Sequence, residues 1–194
     1  MSAAQPSLLD AINERDRQLA IGGVQSPAAP VPAAGPTTTR RFVLLSIASG
    51  HYAIPEASVT ELERVPRITL VPQTPDWMRG VTNVRGDIVS VVDMHRLLQL
   101  DSQPGPGARL LVVRLLDEPF TTGLIVDAVD RIVAVNADSI TAPAAPLEGP
   151  LAPFLEGVCE IGDRLVAVLD IDRFLRSSEI RQFDDPKDHE DHHA

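Results

Sequence analysis

The sequence predicts an all-β protein with a minor helical share, built from two similar small units that each form a five-stranded β barrel. Three observations carry this expectation. First, Gly80 to Leu98, GVTNVRGDIVSVVDMHRLL, is echoed without a gap by Gly157 to Leu175, GVCEIGDRLVAVLDIDRFL. Val81, Val89, Val91, Asp93, Arg96 and Leu98 meet Val158, Val166, Val168, Asp170, Arg173 and Leu175, while Arg85-Gly86 and Gly162-Asp163 both fall at a turn. Second, each half of the chain offers about five short strands and one terminal helix, too few for a large sandwich but suited to a small closed barrel. Third, the strand Ile88 to Val92 is nearly all apolar, as a strand covered on both faces must be.

In chain order, Ser7 to Ala20 reads as a short helix. Ser7 caps it, Asp10 stands three positions later, and Leu8, Ile12 and Leu19 share one face. Gly22-Gly23 ends it. From Val24 to Thr39, Pro27, Pro30, Pro32 and Pro36 deny the chain a regular ladder or helix, so this stretch reads as a tether. Two readings of residues 1–39 stand: a dispensable extension, or a docking peptide on a leash. The folded domain spans 40–178, with intertwined halves of about 40–105 and 106–178.

Phe42 to Ala48 is a strand, Ser49-Gly50 a two-residue turn, and His51 to Ile54 the return. Pro55 closes it before a strand at Val59 to Val65, and Pro75 opens a short helix through Met78. The first repeat copy follows. The second half runs through strands at Arg109 to Leu115, Thr122 to Val126 and Arg131 to Val135, with a turn at Asp117 to Pro119. A proline-bearing surface loop, Asn136 to Pro153, leads into the second copy. Residues 179–194 form an acidic, histidine-bearing tail that reads as solvated, with no fold to fix His189, His192 and His193 as a metal site.

Composition narrows the function. The chain is 44% apolar, ample for a core, and carries a net charge of −10. Thr37 to Phe183 holds 14 arginines and no lysine against 19 acids, a balance of −5, so nucleic acid is not expected as a partner. Trp77 and Tyr52 are the single residues of their types, which leaves no aromatic platform for bases. No apolar run is long enough to cross a bilayer and the N-terminus lacks a signal-peptide pattern, so a cytoplasmic protein without membrane insertion is expected. Cys159, alone in an apolar strand, excludes an internal disulfide and reads as a small buried hydrophobe.

Catalysis needs groups that converge, and the sequence does not supply them. His51 follows a hairpin turn and His95 falls on a short helix; both read as surface histidines. There is no phosphate-cradling or dinucleotide glycine pattern, and no cofactor or metal is expected. Arg85-Gly86-Asp87 matches an adhesion tripeptide by letters only. Asn83, Arg85 and Asp87 are present in one repeat copy and absent from the other. At the turn, the planar fork of Arg85 suits a carboxylate, with Glu61 and Glu63 as candidate mates. From the residues alone, a structural ion pair and a partner-binding arginine both remain open.

The phrase GVTNVRGDIVSVVDM, preceded by PDWMRG, resembles the signature of the CheW family of chemotaxis coupling proteins. Gly80, Val81, Asn83, Val84, Arg85, Gly86, Ile88, Val91, Val92 and Asp93 carry the match. The likeness runs from about Arg41 to Leu175, through FVLLSIASGHYAIPEASVTEL, TTGLIVDAVDRIV and FLEGVCEIGDRLVAVLDIDRFL. Ser90 departs from it, since the family usually has proline there, and the N-terminal extension is absent from minimal members. The chain is too short to hold the further regions of the kinase that ends in such a domain.

The resemblance implies two SH3-like five-stranded barrels. It also implies a non-catalytic adaptor between the cytoplasmic tips of chemoreceptors and the regulatory domain of a CheA-type histidine kinase, recruited to receptor arrays, with other CheW-like domains in rings as further partners. Carried over by position, Val59, Glu61, Leu62, Asn83 and Arg85 become the coupling positions of the first barrel. Gly123, Val129 and Ile132 would border the same groove from the second, and Phe154 and Leu155 would meet a neighbouring CheW-like domain. A related pathway, such as pilus motility or second-messenger control, is the alternative, with the N-terminal helix recruiting another protein.

Overall fold

The computed structural model describes residues 38–143 and 149–182. The helix expected at Ser7 to Ala20, most of the tether and residues 183–194 of the expected tail lie outside them; the start of that tail, residues 179–181, is not solvated but belongs to a short helix, because Ile180 is buried in the core. Among the described residues the order is β1 (Thr39–Ile47), β2 (Gly50–Pro55), β3 (Val59–Arg64), β4 (Met78–Val84), β5 (Asp87–Asp93) and α1 (Met94–Leu97), then β6 (Arg109–Arg114), β7 (Thr121–Val126) and β8 (Ala128–Asn136), and last β9 (Leu155–Ile161), β10 (Arg164–Leu169), α2 (Ile171–Leu175) and α3 (Ser178–Arg181).

The strands form two five-stranded sheets, ordered β8-β1-β2-β10-β9 and β3-β6-β7-β5-β4. Each sheet mixes the halves. The β1–β2 hairpin completes the sheet of β8, β9 and β10, and the β6–β7 hairpin completes that of β3, β4 and β5. Equivalent parallel pairs hold the exchanged hairpins: β10 with β2 through Val168 and Ala53, and β5 with β7 through Val91 and Gly123. The repeated sequence therefore sits in equivalent places in both sheets.

Alternation along the strands explains why so many are apolar throughout. Phe42, Leu44, Ala53, Val166 and Val168 fill the interior of one sheet, and Val89, Val91, Leu110, Val112 and Ile125 that of the other. Their neighbours Leu45, Ile47, Val92, Leu111, Val113, Leu165 and Leu169 face a third core between the sheets. Burying each such side chain contributes about 1.5–3 kcal/mol. Cys159 is buried in the first of these interiors, where desolvation pushes its thiol pKa up.

The repeated Asp93 and Asp170 are helix caps. Asp93 accepts the amides of His95 and Arg96, and Asp170 accepts that of Arg173. Gly80 is required at its place: its φ is +127°, and a Cβ there would lie 2.0 Å from the Thr69 carbonyl oxygen.

Three local expectations are corrected. The first turn is Ala48-Ser49 rather than Ser49-Gly50, because Gly50 pairs with Ile47 and the amide of Ala48 (φ 50°) donates to Asp127 at 2.6 Å. Pro75 to Met78 is a turn, closed by Met78 N–H to the Pro75 carbonyl at 2.9 Å; the helix fails because Met78 already pairs with Val92 in the sheet. His95 is buried, 2% exposed, rather than on the surface, because the Asp127 carboxylate and the Ser102 hydroxyl and carbonyl satisfy its ring nitrogens.

Candidate functional site

The β4–β5 turn is a tight hairpin with both central residues at positive φ, Arg85 at 52° and Gly86 at 106°. Such a turn matches the twist of the strands it joins. Asn83 holds it, its Oδ1 accepting the Gly86 amide at 2.9 Å. The polar trio thus has a local reason: Asn83 braces the turn, Gly86 allows it, and Arg85 is carried out at its tip.

From that tip Arg85 reaches Glu61 on β3, Nε to Oε1 2.8 Å. β3 and β4 are the two edges of their sheet, so the pair spans edge to edge. Arg85 remains 77% exposed, whereas Glu61 is 16% exposed. The second carboxylate oxygen of Glu61 is buried with no hydrogen-bond partner among the described residues. A groove of about 720 Å³ opens beside it, floored by Val84, Val89 and Val112 and rimmed by Asp87, Arg114 and Glu118. Ile88, 71% exposed, stands at its mouth.

The second sheet has the equivalent groove, about 380 Å³, where Arg131 occupies the place of Glu61 and Gly162 that of Arg85. There the edges are bridged by Arg164, two positions beyond Gly162, and Asp130, one before Arg131, at 3.8 Å. Both sheets use an arginine and an acid to cross the same gap, and the closer pair is Arg85 with Glu61.

The other candidate positions divide by face. On β3, Glu61 opposes Val112, which faces the sheet interior, while Val59 and Leu62 oppose Val113 and Leu111, which face the other sheet. On β8, Val129 opposes Leu45 and Ile132 opposes Val43. Val59 and Leu62 are thus the repeat equivalents of Val129 and Ile132. Val59 and Val129 pack on the intersheet core, and Leu62 and Ile132 are 48% and 49% exposed.

Gly123 is placed differently from its expectation. It lies on β7, in the same sheet as Glu61 and Arg85 rather than the second, because the β6–β7 hairpin crosses over. It is buried, and a Cβ there would meet the Leu110 side chain at 2.7 Å, so the close packing of β6 on β7 requires a glycine. Phe154 is half-buried and edge-on to Phe174 at 5.3 Å, with Leu155 next to it at the start of β9.

Sequence reasoning passed over Ile88 and Leu116, both exposed and both lining the first groove. Ile88 was legible only as core, since its strand is apolar throughout. Ser90, at the family's proline position, contributes a hydroxyl contact with Thr122 at 3.1 Å across β5 and β7, which proline would remove. No group of three or more residues able to hold a metal ion occurs among the described residues.

Residues 41–179 match the CheW-like domain family. The chain is 29% identical over 152 residues to the chemotaxis protein CheW of Klebsiella aerogenes, covering 78% of this chain and 90% of that protein. It is 35% identical over 108 residues to Protein PilI of Pseudomonas aeruginosa, covering 55% of this chain and 60% of that one. The crystal structure of the scaffolding protein TtCheW from Thermoanaerobacter tengcongensis superposes with a TM-score of 0.62 at 27% identity, covering 68% of this chain and 89% of that one. The duplicated strand–turn–strand–helix unit, the two hairpin-exchanged sheets and the matched residues agree: the chain belongs to the CheW-like domain family of adaptor and scaffold proteins.

Proposed function

We propose that this chain is a non-catalytic cytoplasmic adaptor that couples the cytoplasmic tips of chemoreceptors to the regulatory domain of a CheA-type histidine kinase. The observation that carries this reading is the Arg85–Glu61 pair. An exposed guanidinium and a carboxylate with one buried, unpaired oxygen stand beside the exposed Ile88. A partner donor that reaches the free Glu61 oxygen would relieve a desolvated group, and Arg85 offers the planar fork that orients an acidic partner. Across the face between the sheets, Leu62 and Ile132, backed by Val59 and Val129, offer paired apolar positions for an amphipathic helical partner. Phe154 and Leu155 are the contact proposed for a neighbouring CheW-like domain. Recruitment to receptor arrays would follow from these contacts.

The test is Arg85→Glu. Co-sedimentation with receptor-bearing membranes and kinase should be lost while the circular dichroism spectrum is unchanged. An unfolded variant would make Arg85 structural and remove the basis for this site.

The relatives named Protein PilI and Protein FrzA of Myxococcus xanthus support a second reading, an adaptor of a related chemosensory pathway that recruits another protein through its N-terminal segment. Loss of cellular placement with kinase coupling intact, on disrupting residues 1–36, would favour it.

A further inference from the structure

We propose that the N-terminal segment Ser7 to Ala20 docks, within its own chain, into the apolar groove where the two repeat copies meet. That groove holds about 370 Å³ and is lined by Trp77, Leu97, Phe154, Phe174 and Ile180. Trp77 and Phe154 hold equivalent places in the two copies: the carbonyl of each accepts the amide of the helix-capping aspartate, Asp93 or Asp170, at 2.8 Å. The exchange of hairpins brings these two aromatic residues to one groove, where both are half-buried and line it.

Four features select the occupant. The chain leaves the fold beside the groove, because Arg40 near the start of β1 is paired with Glu156, Nη2 to Oε2 3.0 Å, just beyond Phe154. The stretch between Ala20 and Thr38 can reach: fully extended, it spans about 55 Å. A segment tethered to its own site binds at an effective concentration set by the tether, so its docking is independent of protein concentration. Leu8, Ile12 and Leu19 recur at helical spacing, the arrangement that seats an apolar edge in a groove. Finally, the Ser177 Oγ in the groove wall is buried with no hydrogen-bond partner among the described residues, and Arg96 and Glu179 add charges of both signs. The segment carries matching groups in Asn13, Glu14, Arg15 and Arg17.

Docked there, the segment covers Phe154. The docking does not depend on the coupling function proposed above. If Phe154 also meets a neighbouring domain, segment and neighbour exclude one another.

Trp77 is the sole tryptophan, so its emission in the full chain reports on the groove. The comparison is wild type against full-length chain carrying Leu8→Asp and Ile12→Asp. The double variant should show emission at longer wavelength and stronger acrylamide quenching, independent of protein concentration, while the β domain still unfolds cooperatively with at most a modest fall in its thermal midpoint. A synthetic peptide of residues 5–21, added to the double variant, should restore the shorter-wavelength emission, and the same peptide with both substitutions should not. Identical emission and quenching in the two chains, with no response to peptide, overturns the proposal. So does a shift that grows with protein concentration alongside dimer formation, because the occupant is then a second copy.

Discussion

The imidazole Nε2 of His95 donates to the carboxylate of Asp127 at 2.8 Å, and the same carboxylate oxygen accepts the Ala48 amide at 2.6 Å. His95 follows β5 in one sheet, and Ala48 is the β1–β2 turn of the other. Asp127, between β7 and β8, is the point where the chain passes from one sheet to the next. This strut crosses the intersheet boundary with polar groups where the surrounding core is apolar. Its loss leaves Asp127 and Ser102 short of a partner, so His95→Ala is expected to lower stability by about 1–3 kcal/mol. Urea denaturation measures it, and His95→Gln should recover part of the loss.

Gly80 and Gly157 share a repeat position but differ in strain. At Gly80 the Cβ of alanine would enter the Thr69 carbonyl at 2.0 Å with φ at +127°; at Gly157 the nearest atom, the Thr141 carbonyl oxygen, is at 2.7 Å and φ is not positive. Gly80→Ala should cost about 3 kcal/mol or more, backbone strain and overpacking combined. Gly157→Ala should cost less, and equal midpoints in denaturant would contradict this account.

The Arg85–Glu61 pair should matter little to folding. With Arg85 77% exposed, a double-mutant cycle of Arg85→Ala and Glu61→Ala should give a coupling of less than about 1 kcal/mol. A much larger value would show that the pair is needed to hold the sheet edges together.

Tyr52 carries a hydroxyl that is buried and without a partner among the described residues, and burial pushes its pKa up. Tyr52→Phe removes a desolvated polar group while keeping the ring in the intersheet core. It should be neutral or stabilising by up to about 1–2 kcal/mol, read from the shift in denaturation midpoint.

Glu118 is gripped by Arg181 and Arg176, and their hydrogen bonds lower its pKa. Because the folded-state pKa lies below the unfolded one, the contribution is complete above the ordinary glutamate value, about 4.3. It is lost as pH falls through the lower folded value. The thermal midpoint of wild type should exceed that of Glu118→Gln at neutral pH, converge with it in that acidic window, and do so sooner in high salt.

Some of this was legible because it is local. The hairpin at Arg85-Gly86 follows from turn chemistry, the buried Cys159 from its apolar strand, and the repeated aspartates from the repeat itself. The Pro75 helix and the exposure of His95 were misread for one reason: each segment's fate is set by a partner distant in sequence, Val92 for Met78 and Asp127 for His95. Gly123 shows the same limit at the candidate site. Its position in the chain suggested the second unit, and only pairing with Val91 places it in the first.

Two like units, strands covered on both faces, and the restriction of Asn83, Arg85 and Asp87 to one copy are all written in the order of the residues. Periodicity and repetition are properties of the chain, so they survive without coordinates. The tertiary structure alone decided that the units exchange hairpins, that Glu61 rather than Glu63 meets Arg85, and that Trp77 and Phe154 line one groove. The physical reason is that side-chain alternation fixes which face a residue takes within its own strand. Which strand lies opposite is fixed by burying three cores at once, and no local stretch of sequence encodes that choice.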